Sequence, residues 1–176
     1  MRIIAGKYKK SNLFPVPGNT TRPTTDYLRE VIFSILGNVE DQDFLDLYAG
    51  SGSVGLEALS RGAGFVDFVD FSQNSIKTMI RNIEKLKCTE ACRIHRKKVS
   101  AYLKVCEKKF DVIFLDPPYE KDLVNKTLEL IFEFSLLKPE GMIIVEHSRL
   151  EKPDVKWQER VSSERSAGKT FLTILR

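Results

Sequence analysis

Phe44-Leu45-Asp46-Leu47-Tyr48 runs through Ala49 into Gly50-Ser51-Gly52-Ser53-Val54-Gly55, and the reading of this junction decides the fold. The first five residues form an apolar run of strand length, and residues 50–55 lead into a helix that continues through Leu59. Glycines at 50, 52 and 55 fit the pattern G-x-G-x-x-G, which gains meaning only between a strand and a helix. In that setting they permit a tight turn and let a ligand approach the backbone closely. Asp70 ends the next apolar run, 20 residues after Gly50, where a carboxylate can accept hydrogen bonds from ribose hydroxyls. The plain alternative is a tight glycine turn followed by a surface aspartate.

Outward from the junction, short apolar runs alternate with amphipathic stretches. Strands are expected at 65–69, 92–95, 110–115 and 141–145, with helices at 73–86, 99–106 and 123–134 between them. In the helix at 123–134, Leu128, Ile131, Phe132 and also Phe134 are expected on the core side. The tail reads as two strands, 156–165 and 170–175, around the turn Ser166-Ala167-Gly168. Upstream, the spacing of Leu28, Val31, Ile32, Ile35 and Leu36 is one face of a helix. Thr24, Thr25 or Asp26 can cap that helix, and Gly37-Asn38 can end it. Residues 1–23 read as an extended arm or hairpin broken by Pro15, Pro17-Gly18 and Pro23. Strands and helices alternating at this spacing imply βαβ units, hence a mostly parallel sheet with helices on both faces. Ligands then bind beyond the carboxyl ends of the strands, near the switch point. No linker divides the 176 residues, so one domain is expected, with the arm and helix at 1–40 and the sheet at 41–176.

The apolar strand at 110–115 leads into Asp116-Pro117-Pro118-Tyr119. The prolines cannot continue a sheet, and they stiffen a loop at its ligand-binding edge. The turn presents the Asp116 carboxylate and the Pro117 carbonyl as two acceptors and Tyr119 as a flat face. An exocyclic amino group on a base has two N–H donors and a lone pair delocalised into the ring. Two acceptors that grip the donors can localise the lone pair toward a methyl donor while the aromatic ring stacks on the base. The alternative is a rigid turn with a satisfied aspartate. Glycines 50, 52 and 55 alone would also suit a dinucleotide and hydride transfer. Against that stand Asp46, a carboxylate where a dehydrogenase strand is usually apolar, and a chain too short for a separate substrate domain. Asp46 is better placed to orient a cationic amino group of a cofactor, or else it caps the strand end.

The segments DLYAGSGSVGLEALSRGA, FVD and IFLDPPY resemble the first, second and fourth motifs of class I methyltransferases that act on base amino groups. Together with the opening RIIAGKYKK and with RPTTDYLREVIFSIL, they resemble the bacterial RsmD family, whose members methylate guanine N2 in 16S ribosomal RNA. That resemblance implies a Rossmann-like, seven-stranded class I methyltransferase sheet with a short basic N-terminal arm and helix. It also implies S-adenosylmethionine as cofactor, expected along Asp46, Tyr48, Ala49, Gly50, Ser51, Gly52, Asp70 and Phe71. Asp116, Pro117, Pro118 and Tyr119 would face the target base. The family usually carries an aspartate after the third strand that contacts the adenine. Here the segment is Arg96-Lys97-Lys98-Val99-Ser100, so no adenine-contacting acid is assigned. Rival readings are methylation of adenine N6 in RNA or DNA, an NAD-dependent oxidoreductase, and a silent RNA-binding module.

Charge distribution points to a nucleic-acid partner more than the net charge of +4 does. Residues 1–25 hold Arg2, Lys7, Lys9, Lys10 and Arg22 and no acid, and a second basic stretch runs from Lys85 to Lys109. Such clusters suit a phosphate backbone, here ribosomal RNA or the small ribosomal subunit, with Lys7, Lys9, Lys10 and Arg22 as the contacts; solvated surface is the alternative. No run of about 18 apolar residues is present for a membrane span. Three cysteines and no secretory segment suggest a reduced, cytoplasmic setting. Cys88, Cys92 and His95 lack a fourth ligand at zinc spacing, so no metal is expected. His147 has no nearby nucleophile, Trp157 reads as packing, and Asp111 and Glu146 flank strands with no role assigned. A monomer is expected.

Overall fold

The strand that opens the glycine junction, β1 (Asp43–Leu47), is buried at every position after its first. A strand can be so only where both faces of its sheet are covered. A computed structural model, which describes residues 1–18, 25–118, 122–168 and 170–176, shows the two covers. The arm and α1 (Asp26–Leu36) precede β1. After it come α2 (Ser53–Ser60), β2 (Phe65–Asp70), α3 (Gln73–Leu86), β3 (Cys92–Arg96), α4 (Val99–Leu103) and β4 (Phe110–Leu115). The chain continues with α5 (Leu123–Glu133), β5 (Leu137–His147), β6 (Val161–Ala167) and β7 (Thr170–Leu175). The strands form one sheet in the order β3-β2-β1-β4-β5-β7-β6. β1 to β5 pair in parallel, and β7 runs antiparallel to both β5 and β6.

Alternation along each strand divides the core in two. Phe44, Phe68, Phe114 and Ile144 pack with Ile32, Leu56 and Met79 beneath the arm, α1, α2 and α3. Leu45, Leu47, Ile113, Leu115 and Val145 turn the other way, toward Leu103, Leu128 and Ile131 of α4 and α5. Local signals set the helix limits. The Thr25 hydroxyl accepts from the Leu28 N–H at 3.1 Å, and Gly37, at φ 68°, ends α1. Thr24, Arg22 and Tyr119 lie outside the described residues.

The arm folds back on itself, with an antiparallel bridge between Arg2 and Asn12 and bonds from the Ile3, Lys10 and Leu13 N–H groups to the Ser11, Ile3 and Met1 carbonyls, and long-range bonds seat it on the domain. The buried Glu57 carboxylate of α2 accepts from the Ile4 and Ala5 N–H groups at 2.8 and 3.0 Å. Asn82 of α3, fully buried, accepts from the Phe14 N–H and donates to its carbonyl. Gly6 (φ 78°) crosses so close to α2 that a Cβ would lie 1.7 Å from the Ser60 carbonyl oxygen.

Three expectations are corrected. Residues 156–160 are not strand: Val155–Arg160 is a 3₁₀ turn, because the Trp157 ring stacks on Phe132 of α5 while its indole N–H donates to Asn125. Phe134 lies past the end of α5 and is 38% exposed, so it is not a core residue. In the second basic stretch, Lys108 is engaged within the protein. Its ammonium pairs with Asp43 and Asp67 at 2.8 and 3.1 Å, while Lys138 pairs with Asp43 and Asp111 at 2.7 and 2.8 Å. This ladder lies at the end of the sheet opposite the glycine turn. His95 joins it through Asp67, 2.7 Å away, and the Cys88 and Cys92 thiols bond to backbone carbonyls.

Candidate active site

The strand order reverses between β1 and β4, so the loops leaving their carboxyl ends part and open a crevice. Residues 48–52 form one wall. Tyr48, Gly50 and Gly52 all have positive φ, at 60°, 55° and 78°, conformations in which a non-glycine such as Tyr48 stores strain. Gly55, one turn into α2, has a different duty. A Cβ there would lie 2.3 Å from the Phe68 ring and 2.7 Å from Val66, so this glycine lets α2 lie directly on β2.

Two carboxylates brace the turn. Asp46 is 1% exposed, and its Oδ2 accepts from the Gly55 N–H at 2.9 Å. Burial, then the nearby Asp116 and Asp70, push its carboxyl well above the usual range. Asp70 accepts from the Gly50 N–H at 2.9 Å and from the Ser72 N–H at 2.8 Å. Asn82 also donates to the Ser51 carbonyl at 3.0 Å, so one buried amide ties the arm and the glycine turn together. Beside Asp70, the Phe71 ring is 63% exposed, an apolar face left open at the rim.

The other wall is Asp116-Pro117-Pro118 after β4, with Pro117 buried. Desolvation pushes the Asp116 carboxyl up to about 7. A third carboxyl joins it from β5. Glu146 is 5% exposed, and burial together with Asp116 pushes it up to about 9.

Of the residues read from the sequence, Asp46, Ala49, Gly50, Ser51, Gly52, Asp70, Phe71, Asp116, Pro117 and Pro118 gather at this one end of the sheet. The Tyr48 side chain does not: its hydroxyl is 2.8 Å from Thr127 of α5, on the far face, which leaves only its backbone at the turn. Lys7, Lys9 and Lys10 are exposed on the arm, whose first residue reaches the turn, with Met1 Sδ 3.9 Å from Ser51 Oγ. Lys98 stands as the residue before α4 with no side-chain cap. Sequence reading missed Asn82, Glu57 and Glu146. The available signal was a polar residue within an apolar stripe: Asn82 falls three after Met79, and Glu146 directly follows Ile143-Ile144-Val145.

The family model described as Conserved hypothetical protein 95 matches residues 1–176. The chain is 40% identical over 153 residues to the candidate rRNA methyltransferase YlbH of Bacillus subtilis, covering 85% of this chain and 83% of that protein. It is 34% identical over 157 residues to the ribosomal RNA small subunit methyltransferase D of Haemophilus influenzae, with 87% and 81% covered. Among solved structures, the candidate methyltransferase yhhF of Escherichia coli superposes with a TM-score of 0.85 at 30% identity, over 99% of this chain and 96% of that one.

Proposed function

The chain belongs to the RsmD family, the one described as Conserved hypothetical protein 95, and from that premise we propose that it methylates the N2 amino group of a guanine in small-subunit ribosomal RNA, with S-adenosylmethionine as donor. The observation that carries this reading is the Asp116-Pro117-Pro118 turn at the carboxyl end of β4, beside the glycine turn of β1. The residues present suit the cofactor. Gly50 has nothing but a backbone oxygen at 4.0 Å where a Cβ would sit, so the turn is open to a ligand at that point. Asp70 and the exposed Phe71 offer an acceptor for ribose and an apolar face for a base. Asp46 is the carboxyl nearest the turn from inside the sheet. When bound, S-adenosylmethionine supplies a methyl group on a sulfonium and leaves as a neutral thioether.

The rest belongs to the protein. Asp116 and the Pro117 carbonyl accept the two N–H groups and hold the nitrogen lone pair out of the ring plane. As the N–C bond forms, the nitrogen loses a proton. Asp116 is suited to take it, because a base works best with a pKa near the working pH. Holding both partners at this crevice supplies the remaining acceleration through orientation. Lys7, Lys9 and Lys10, exposed on an arm that abuts the glycine turn, contact RNA phosphates and place the strand without reading its sequence. The protein works as a monomer in the cytoplasm.

Incubation with labelled S-adenosylmethionine and either unmodified small ribosomal subunits or their naked RNA, followed by nucleoside digestion, tests this. Label in N2-methylguanosine is expected. Label in N6-methyladenosine would move the reading to adenine, and no label in either substrate would overturn it.

A further inference from the structure

One oxygen of the Glu146 carboxyl stands apart from the hydrogen bonding of the fold. Its Oε2 is buried without a hydrogen-bond partner among the described residues. Register puts it beside the acceptor turn: Leu115 pairs with Val145, so Asp116 and Glu146 are the next residues on adjacent strands. Phe114 and Ile144, each two residues earlier on its own strand, face the cluster beneath α1 to α3. By alternation Asp116 and Glu146 turn to that face too, as Asp46 does two residues after Phe44.

Among the described residues, the other neighbours do not neutralise it. Across β7 its partner is Leu172, fully buried and apolar. The charged residue buried in α1 is Arg29, which donates to Asp26 and to the Arg2 carbonyl. His147 turns to the opposite face, with its ring nitrogens near Thr173 and the Ser148 carbonyl. Beyond Asp116 the next titratable group along the sheet edge is Asp46, another acid.

An ionised carboxylate with no donor is costly in such a place. Two neighbouring carboxyls in a dry site cannot both ionise freely, so they titrate as a pair that retains a proton. The deeper member is the one to keep it, since Asp116 stands half-buried at the open edge. We propose that Glu146 is a positioning residue that holds this proton, leaving Asp116 as the carboxylate that grips the target amino group. The inference rests on the role given to Asp116 above. A charged Glu146 would instead drive the proton onto Asp116 and convert an acceptor into a donor.

Carboxyl-carbon NMR on cofactor-free protein, labelled at aspartate and glutamate side chains, reads the proton directly, with Glu146→Gln to assign the signal. Glu146 is expected to remain protonated at pH 7, and Asp116→Asn should lower its midpoint by about one unit or more. Titration of Glu146 with the exposed glutamates, or a midpoint unmoved by Asp116→Asn, would overturn the proposal. Neither result depends on turnover, so failure of the methylation assay and failure of this inference are separate events. A kinetic arm covers the case in which Asp116→Asn does not fold. Asp116 must be ionised to accept, so the rate has an acid limb, and Glu146→Gln should leave that limb where it is, because a neutral amide stands in for a carboxyl that already keeps its proton. A limb that moves to lower pH by about one unit or more in Glu146→Gln would mean that Glu146 was the charged member, and contradicts the proposal.

Discussion

At the scale of single residues, Asp116 and Gly55 mark two kinds of demand on the site. Replacing Asp116 by Ala removes one of two acceptors and touches none of the bonds that brace the glycine turn. Single-turnover methyl transfer should therefore fall by about 10²–10³, while calorimetric titration finds cofactor affinity little changed; near-native turnover would sink the gripping mechanism. Because Asp116 must be ionised to accept, and burial lifts it to about 7, the rate should climb with pH toward a plateau above neutrality. A rate that is flat from pH 5 to 8 would contradict it. Gly55 answers to packing. An Ala side chain there meets Phe68 at 2.3 Å, and overpacking of this sort costs about 1–3 kcal/mol. Urea unfolding of Gly55→Ala measures that loss, and an unchanged midpoint would show that β2 gives way freely.

Elements carry the RNA-docking prediction. If the three arm lysines each contact phosphate, changing Lys7, Lys9 and Lys10 to Ala should flatten the log–log salt dependence of RNA binding by roughly two units. Cofactor binding should stay as it was. A solvated arm predicts an unchanged slope, and titrations over a salt series separate the two outcomes. The same elements show what sequence can carry. Periodicity located α3 and β4 to the residue, since a stripe on a helix and an apolar strand are local patterns. Gly37, and a cap among Thr24, Thr25 and Asp26, bounded α1 for the same reason. The seating of the arm was illegible, because it depends on Glu57 and Asn82 bonding to backbone 52–68 residues away. β5 begins at Leu137 instead of Gly141 because its first turn is held by Lys138 between Asp43 and Asp111, across a register shift at Phe110/Val112. In the site itself, the glycine turn, Asp70 and Asp116 were readable as motifs. Glu146 was not, since its meaning comes from a neighbour on another strand, and the Tyr48 ring departs from strand alternation, because the left-handed backbone at φ 60° turns it to the α5 face that Leu45 and Leu47 share.

Across the whole molecule, the two ends of the sheet respond to pH in opposite senses. At the end away from the site, burial raises Asp43 and Asp67. The bonds and charges of Lys108 with Lys138 at Asp43, and of His95 with Lys108 at Asp67, outweigh it and leave both carboxyls lowered. Their contribution is present above the ordinary aspartate value and is lost as pH falls through the lower folded one. At the site end, Asp46 and Glu146 are raised, so the folded state binds more protons there. That contribution is complete below the ordinary carboxyl range and drains away as pH rises toward the folded values. Glu146→Gln, which has no charge to bury, should therefore unfold at a higher temperature than wild type at pH 8 and at nearly the same temperature at pH 4. Equal melting temperatures at both would contradict the assignment. The strand order has a consequence for how the chain is made. β7 is synthesised after β6 yet lies between β6 and β5, so a nascent chain that has produced β6 has nowhere to put it. Until the last strand arrives, residues 143–147 of β5 present a bare apolar edge, the kind that recruits a strand from another molecule. A chain cut after Gly168 would keep the crevice residues and lose the strand that closes that edge. It should accumulate as aggregate in the cell, although every residue of the crevice is present.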